Sequence, residues 1–180
     1  VNEYFSKSKK PATGNFSLYF KAILFWASYV FLYVNVVFFT PPTWVAIIEC
    51  FLMVLLTAAI GFNVMHDGGH GSFSNSKFWN KIAAFSVNAL GASALMWNNK
   101  HNIIHHTYTN IDGLDDDIAK YPLFRLSPQQ KPLWFHKYQY LYSIPLYFFT
   151  TFNWILFDDY WKLVTKKIHT TDIRKMNLRD

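Results

Sequence analysis

A single cysteine, Cys50, occurs in 180 residues, so no disulfide can close within the chain. Charge is scarce too: Asp, Glu, Lys and Arg make up 16%, against about 25% in ordinary soluble domains. Acidic residues are the scarcer sign, 11 against 17 Lys and Arg, which leaves a formal charge of +6. Low charge combined with 52% apolar residues excludes a disordered chain, which needs the opposite balance. A basic excess alone would suit nucleic acid; the apolar content points to lipid and away from a nucleic-acid partner. Internal repeats, low-complexity tracts and sustained strand alternation are all missing, so the fold class expected is all-α. Aromatic residues are plentiful, at 20%. The length fits one domain. Starting at Val1 rather than Met and ending on a charged run, the chain reads as part of a longer protein.

The charges that exist are unevenly placed. Residues 1–15 are polar and carry Lys7, Lys9 and Lys10, whereas Ala22 to Phe39 carries no charge over 18 residues. As a helix that run is about 27 Å long at 1.5 Å per residue, close to the hydrocarbon thickness of a bilayer. Thr40-Pro41-Pro42-Thr43 then breaks the helix, because proline lacks the N–H and clashes with the preceding turn. A second run, Trp44 to Met65, has one charge, Glu49, in 22 residues; it reaches about 33 Å as a helix and can span with some tilt. A signal peptide does not fit the first run, which is long, lacks a small-residue cleavage motif and is followed at once by a second span.

The two runs form a hairpin, and the positive-inside rule orients it. The N-terminal tail is expected in the cytoplasm and the Pro-Pro turn outside, and residue 66 re-emerges in the cytoplasm. Lys77, Lys81, Lys100, Lys120, Arg125, Lys131 and Lys137 agree with that placement. Ile82 to Trp97 is apolar but short, with Ser86, Asn88, Gly91 and Ser93, and reads as a buried or re-entrant helix. Leu141 to Phe157 contains Pro145 and Asn153 and is followed by Lys162, Lys166, Lys167, Arg174, Lys175 and Arg179. Crossing would carry those bases outside, so an in-plane segment on the cytoplasmic side is expected. Glu49, near the outer face, is expected to snorkel, and Cys50 beside it to be packed.

Seven histidines are present, and five fall in two short clusters, His66-Asp-Gly-Gly-His70 and His101-Asn-Ile-Ile-His105-His106. Residues four apart share a helix face. His66 and His70 can therefore aim at one point, as can His101 and His105, with His106 one step round. Imidazole is the commonest metal ligand near neutral pH and suits Fe, Zn and Cu. Five imidazoles exceed the three or four protein ligands of an ordinary zinc site and suggest two metals, or one and part of another. A proton relay or pH sensor is the alternative, but it does not need two matched spacings. His136 and His169, which stand alone, read as satisfied interfacial residues.

HDGGHGSFS directly after a span, and WNNKHNIIHHTYTNIDGLDDDI about thirty residues on, resemble the first two histidine boxes of the membrane-bound fatty acid desaturases. The front-end and linoleoyl-type acyl desaturases are the most similar. The resemblance implies a non-haem di-iron centre with His66, His70, His101, His105 and His106 as iron ligands. It also implies molecular oxygen as co-substrate, a ferredoxin or small cytochrome as electron donor, and an acyl-CoA or acyl-lipid substrate into which a double bond is inserted. The chain would be the N-terminal part of a single desaturase domain. Its divisions would be a cytoplasmic tail (1–15), two transmembrane helices (16–65), a cytoplasmic histidine-box region (66–138) and a membrane-associated segment with a basic tail (139–180). The family's third box, (H/Q)xxHH, has no counterpart after His106 and is expected beyond Asp180, so the ligand set in this stretch is incomplete.

Such chemistry needs a greasy, water-excluding site around the metal. Phe73, Phe78, Trp79, Phe85, Leu95, Met96 and Trp97 lie between the boxes and are candidates for an acyl tunnel or for ordinary packing. Asp67 either orients a ligand or caps the helix end near Gly68-Gly69. Asn63 and Asn102 are candidates to hydrogen-bond a ligand or bound water. Asp115-Asp116-Asp117 reads first as a solvated turn, with support of a ligand or contact with a cationic partner as the functional alternative. Two other functions stay open: a related hydroxylase or ketolase, and a non-catalytic membrane metal-binding fragment.

Overall fold

The computed structural model describes residues 4, 5, 7, 12–168 and 171–173. They form two compact units divided between Leu90 and Gly91. Lys9, Lys10, His169, Arg174, Lys175 and Arg179 lie outside the described residues.

The first unit opens with helix α1, Phe16–Val34, whose N-terminus is capped by Asn15: its side-chain oxygen accepts the Leu18 N–H at 3.1 Å, satisfying one orphan donor. The helix widens into a π-helical turn, Asn35–Phe39, and stops at Thr40, which sits at φ 43° ahead of Pro41 and Pro42. Helix α2, Thr43–Ile60, widens likewise over Gly61–Met65 and runs into the short helix α3, His66–Gly69. Among the described residues, Phe16–Phe39 and Thr43–Gly69 are the two helices long and apolar enough to cross a membrane.

Only 6% and 11% of their apolar windows are buried in the protein, unlike the core helix of a soluble domain. Ile23, Phe31, Phe38, Ile47, Phe51 and Val54 all face outward. Leaving such side chains in water would forgo roughly 1.5–3 kcal/mol each, so these faces call for an apolar environment, consistent with a membrane-associated chain.

Inside the hairpin, Ala22, Ile60, Val64 and Ala83 form the core, with Phe25, Trp26, Tyr29, Phe73 and Leu90 around them. Glu49 corrects its expectation. It does not snorkel but lies 9% exposed, and its Oε1 accepts from Asn35 Nδ2 across the hairpin at 2.5 Å. Cys50, one residue further round the helix, is exposed rather than packed.

Helix α4, Lys77–Ala89, is amphipathic in an unusual sense. Ala83, Ser86 and Val87 are buried, while Phe78, Trp79, Ile82 and Phe85 form an exposed apolar stripe, the pattern of a helix lying in an interface. The re-entrant helix expected over 82–97 is therefore two pieces. The chain turns at Gly91, φ 96°, before helix α5, Ala94–Trp97.

In the second unit α5 leads into a π-helix, Asn98–His105, and helix α6, His106–Tyr108. A long irregular stretch with two 3-10 turns, Asp116–Ile118 and Trp134–Tyr138, follows. Helix α7, Gln139–Asn153, contains Pro145 and continues as a π-helical turn to Asp158; helix α8 is Asp159–Thr165. A two-residue antiparallel hairpin, Lys167–Ile168 (β1) with Thr171–Asp172 (β2), ends the described chain. It is too short to leave an alternating sequence pattern. Met96, Ile104 and Ile168 form this unit's core, with Leu163 and Ile173. Lys162, one of the six bases that follow Phe157, is 6% exposed because two carboxylates reach its ammonium.

Candidate metal centre

In the first unit the site is built where α2 ends. The π turn Gly61–Met65 delivers His66 to the start of α3, and His70 follows one turn on as its C-cap. The two Nε2 atoms stand 3.2 Å apart and the rings meet edge to face at 4.4 Å. Two nitrogens each roughly 2.1 Å from a shared cation sit about 3–3.5 Å from one another, so the pair fits one metal ion.

The Asp67 carboxylate is 4.0 Å from His66 Nδ1, beyond hydrogen-bond length. It is the Asp67 main-chain carbonyl that closes the helix end, accepting the N–H of Ser72 at 2.8 Å and of Phe73 at 3.1 Å and the Ser72 hydroxyl at 3.1 Å. Gly68 lets α3 lie directly on α4: a Cβ there would stand 2.5 Å from the Ala84 nitrogen. Asn80 then clamps the loop after His70. Its Nδ2 donates to the carbonyls of Gly71 at 3.0 Å and Ser74 at 2.7 Å, and its Oδ1 accepts the Ser74 N–H at 2.7 Å. Nothing in the spacing of the histidines marks Asn80; only its position on α4 opposite the loop does. Asn63 donates to the Ala59 carbonyl one turn back, at 2.9 Å.

In the second unit His101 and His105 lie on a π-helix, not the expected α-helix, and His106 begins α6. The wider i→i+5 ladder of the π-helix sets His101 between the residues four and five further on. The His101 ring stacks on His105 at 5.4 Å and meets His106 edge to face at 4.8 Å. His106 thus faces the same ring rather than a neighbouring point. Trp97 stacks on His101 at 4.7 Å. Asn102 Nδ2 donates to Asn98 Oδ1 at 2.8 Å. One ligand atom from each of His101, His105 and Asp117 lies within 4.8 Å of the others.

His105 has the most developed support. Its Nδ1 is 3.1 Å from both oxygens of Asp115 and 3.2 Å from Asp117 Oδ2. Asp115 is fully buried and also accepts the N–H of Asn110 at 2.8 Å and of Asp117 at 3.0 Å. Burial pushes its carboxyl up, but the two backbone N–H groups and His105 outweigh that, and it lies below the ordinary carboxylate value. An ionised carboxylate only accepts, so His105 Nδ1 is the donor in this pair, and in the neutral ring Nε2 carries the lone pair that a metal needs. Metal-bound histidines are typically held in this way, and the donor set fits a metal. The solvated-turn expectation is corrected: Asp115 and Asp116 are buried, and only Asp117 is open, at 51% side-chain exposure.

His136 is a satisfied structural histidine. Nε2 donates to the Pro122 carbonyl at 2.7 Å and Nδ1 accepts the Leu133 N–H at 3.0 Å. Within their own units the tunnel candidates take different environments. Met96 is in the second core, Phe73 packs on Tyr19 at 5.3 Å, and Phe78, Trp79 and Phe85 face outward. Leu95 supplies the carbonyl that accepts from Asn99 Nδ2 at 2.8 Å. An apolar groove of about 640 Å³ runs between α1 and α2, lined by Ala27, Phe31, Leu52 and Leu56 among others.

Residues 39–176 match the sequence profile of the family described as fatty acid desaturase. The chain belongs to that family. Among curated relatives of this desaturase-family chain, the sn-1 linoleoyl-lipid 6-desaturase of Arthrospira platensis is 32% identical over 96% of the chain and 47% of the relative. The protein of the same name from Synechocystis sp. is 32% identical over 94% and 47%. The acyl-lipid (8-3)-desaturase of Physcomitrium patens is 29% identical over 98% and 37%. The chain thus spans about half the length, or less, of these relatives. No solved structure matches it.

Proposed function

We propose that this desaturase-family chain carries part of the catalytic centre of an oxygen-dependent acyl-lipid or acyl-CoA desaturase. In this reading His66, His70, His101, His105 and His106 ligate two iron ions. The observation that carries the reading is the His105–Asp115 pair: a buried ionised carboxylate fixing one imidazole nitrogen as donor and leaving the other for a metal. The names of the relatives favour a lipid-linked acyl chain. Iron, when bound, supplies the activation of oxygen. The reaction removes one hydrogen from each of two adjacent methylenes; with molecular oxygen, two electrons and two protons it yields a double bond and two waters. The electrons require a ferredoxin or small cytochrome.

The chain's own residues bind and orient. Asp115 holds His105 as its Nδ1–H tautomer, Trp97 covers one face of His101, and Asn80 and Gly68 fix the segment that carries His70. The test is expression of the full-length protein in a heterologous membrane with product analysis by mass spectrometry. Loss of two hydrogens and bound iron are expected. An added oxygen would favour a hydroxylase, and zinc without iron would remove the desaturase reading.

The hairpin is read as crossing twice with both ends cytoplasmic, and α7 as lying along the cytoplasmic face. Cysteines placed at Ala12, Pro42 and Val164 in a Cys50→Ser background test this. Ala12 and Val164 are expected to label from one side and Pro42 from the other. Labelling of Pro42 together with Ala12 would overturn the hairpin, and labelling of Val164 together with Pro42 would overturn the in-plane placement.

A further inference from the structure

The second unit also holds an ionic cluster built on Lys100, Asp116, Asp158, Asp159 and Lys162. Lys162 Nζ lies 2.7 Å from Asp116 Oδ2 and 2.7 Å from Asp158 Oδ2. Lys100 Nζ lies 3.2 Å from Asp158 Oδ2, 3.6 Å from Asp116 Oδ2 and 3.8 Å from Asp159 Oδ1. Trp154 Nε1 donates to Asp159 Oδ1 at 2.9 Å, and the Lys100 ammonium sits over the Trp154 ring at 5.3 Å. Lys162, Asp116 and Asp159 are 6%, 4% and 5% exposed.

Removing charges from water in this way costs several kcal/mol per ion, and well-packed apolar residues are often as stable or more so. General stability therefore does not account for the cluster, but its connections do. Lys100 immediately precedes His101 on the π-helix. Asp116 immediately follows Asp115, the residue that grips His105. Asp158 and Lys162 stand one turn apart at the start of α8. The cluster thus joins the two segments that must keep a fixed spacing for the His105–Asp115 bond to exist, and it pins both to one helix.

We propose that the Lys100–Asp116–Asp158–Lys162 cluster is a positioning device for the second histidine group, setting the separation between the π-helix and the Asp115 turn and so the aim of His105. This rests on the reading of His101, His105 and His106 as metal ligands. Asp158 and Lys162 are held in their charged forms, whereas burial pushes the Asp159 carboxyl up. Burial pushes the Asp158 carboxyl up, but the Lys162 hydrogen bond and the Lys100 charge carry it below its ordinary value. Burial pushes Lys162 down, but Asp116 and then Asp158 carry it above its own.

The test uses the full-length protein in lipid nanodiscs with Co²⁺ as probe. Affinity is read by chelator competition and geometry by the visible ligand-field bands. The variant Asp116→Asn with Lys162→Met removes one charge of each sign and the tie between them. Its melting temperature is expected to stay near that of the parent, since the removal is charge-balanced. Its cobalt affinity should fall about 10- to 100-fold, the range for lost support of a metal ligand, with shifted bands and a lower kcat at unchanged KM. Leu163→Ala, a core truncation, is the control and should lower the melting temperature without moving the bands.

If the paired variant does not accumulate, Asp158→Asn replaces it, because Asp158 is the most open member at 24% side-chain exposure. Weaker cobalt binding with shifted bands is expected there too. Parental affinity and bands in the variant tested would overturn the proposal, as would a loss that only tracks melting temperature as the control does. A parent protein that shows no cobalt ligand-field bands would instead overturn the metal-ligand reading, and this inference with it.

Discussion

His105→Ala in the full-length enzyme is expected to take double-bond formation to background and to lower bound iron well beyond tenfold. Three losses coincide at this position. A metal-ligating nitrogen disappears, so the oxidising centre does not form, and kcat falls rather than KM rising. The stack on His101, centroids 5.4 Å apart, loses one member. Asp115, fully buried, keeps its two backbone donors but loses the side chain that both its oxygens face; leaving a buried charged group short of a partner costs about 1–3 kcal/mol or more. His136→Ala is the comparison. That ring is just as firmly bonded, to the Pro122 carbonyl and the Leu133 N–H, so its removal should lower the melting temperature while leaving iron content near parental. Near-normal activity in His105→Ala together with loss in His136→Ala would reverse the assignment of these two histidines.

How far these features could be read from the sequence depends on the range of the interaction behind each. The two apolar helices at Phe16–Phe39 and Thr43–Gly69 are readable because a nearly uncharged run of bilayer length is a property of consecutive residues. The His66–His70 pair was readable for the same reason: a spacing of four fixes a shared face. The π-helix at Asn98–His105 was not, because the ladder's switch from four to five residues leaves no mark in composition. It changed the part given to His106. Asp115-Asp116-Asp117 looked like a solvated turn because acidic runs usually are. What buries it is distant in sequence: Lys162 in one direction and His105 in the other. Glu49 was misjudged likewise. Its depth in the span suggested snorkelling, but Asn35 on the facing helix supplies the donor that holds it inside. The acyl tunnel was inferred from aromatic residues between the boxes, and aromatic content does not say which way a ring points. On α4 the rings at Phe78, Trp79 and Phe85 point outward.

Asp115→Asn separates an electrostatic role for this carboxylate from a merely space-filling one, since the amide has nearly the same shape. In the native protein the Asp115 oxygens accept from Asn110 N–H, Asp117 N–H and His105 Nδ1. An amide has one oxygen and one NH₂ group, so it cannot accept from all three. The Asn110 and Asp117 N–H groups bond to different oxygens of Asp115, so in either amide orientation one of them is left facing the NH₂ group. Both positions also face His105 Nδ1, so wherever the NH₂ meets that nitrogen the ring must accept instead; the imidazole proton then moves to Nε2, and a bound metal would lose its lone pair. Either orientation is unfavourable, by about 1.5–3 kcal/mol for a hydrogen bond to a charged group. A 10- to 100-fold loss of metal affinity is expected, with a matching fall in kcat and little change in KM. Asp117→Asn should do much less. That carboxylate is half exposed and reaches His105 at 3.2 Å from one oxygen only, so water can take its place. Measuring iron content, kcat and KM for both variants decides the point: equal losses would mean that the buried position of Asp115 has no special hold on His105, and parental values for Asp115→Asn would mean that the tautomer is fixed some other way.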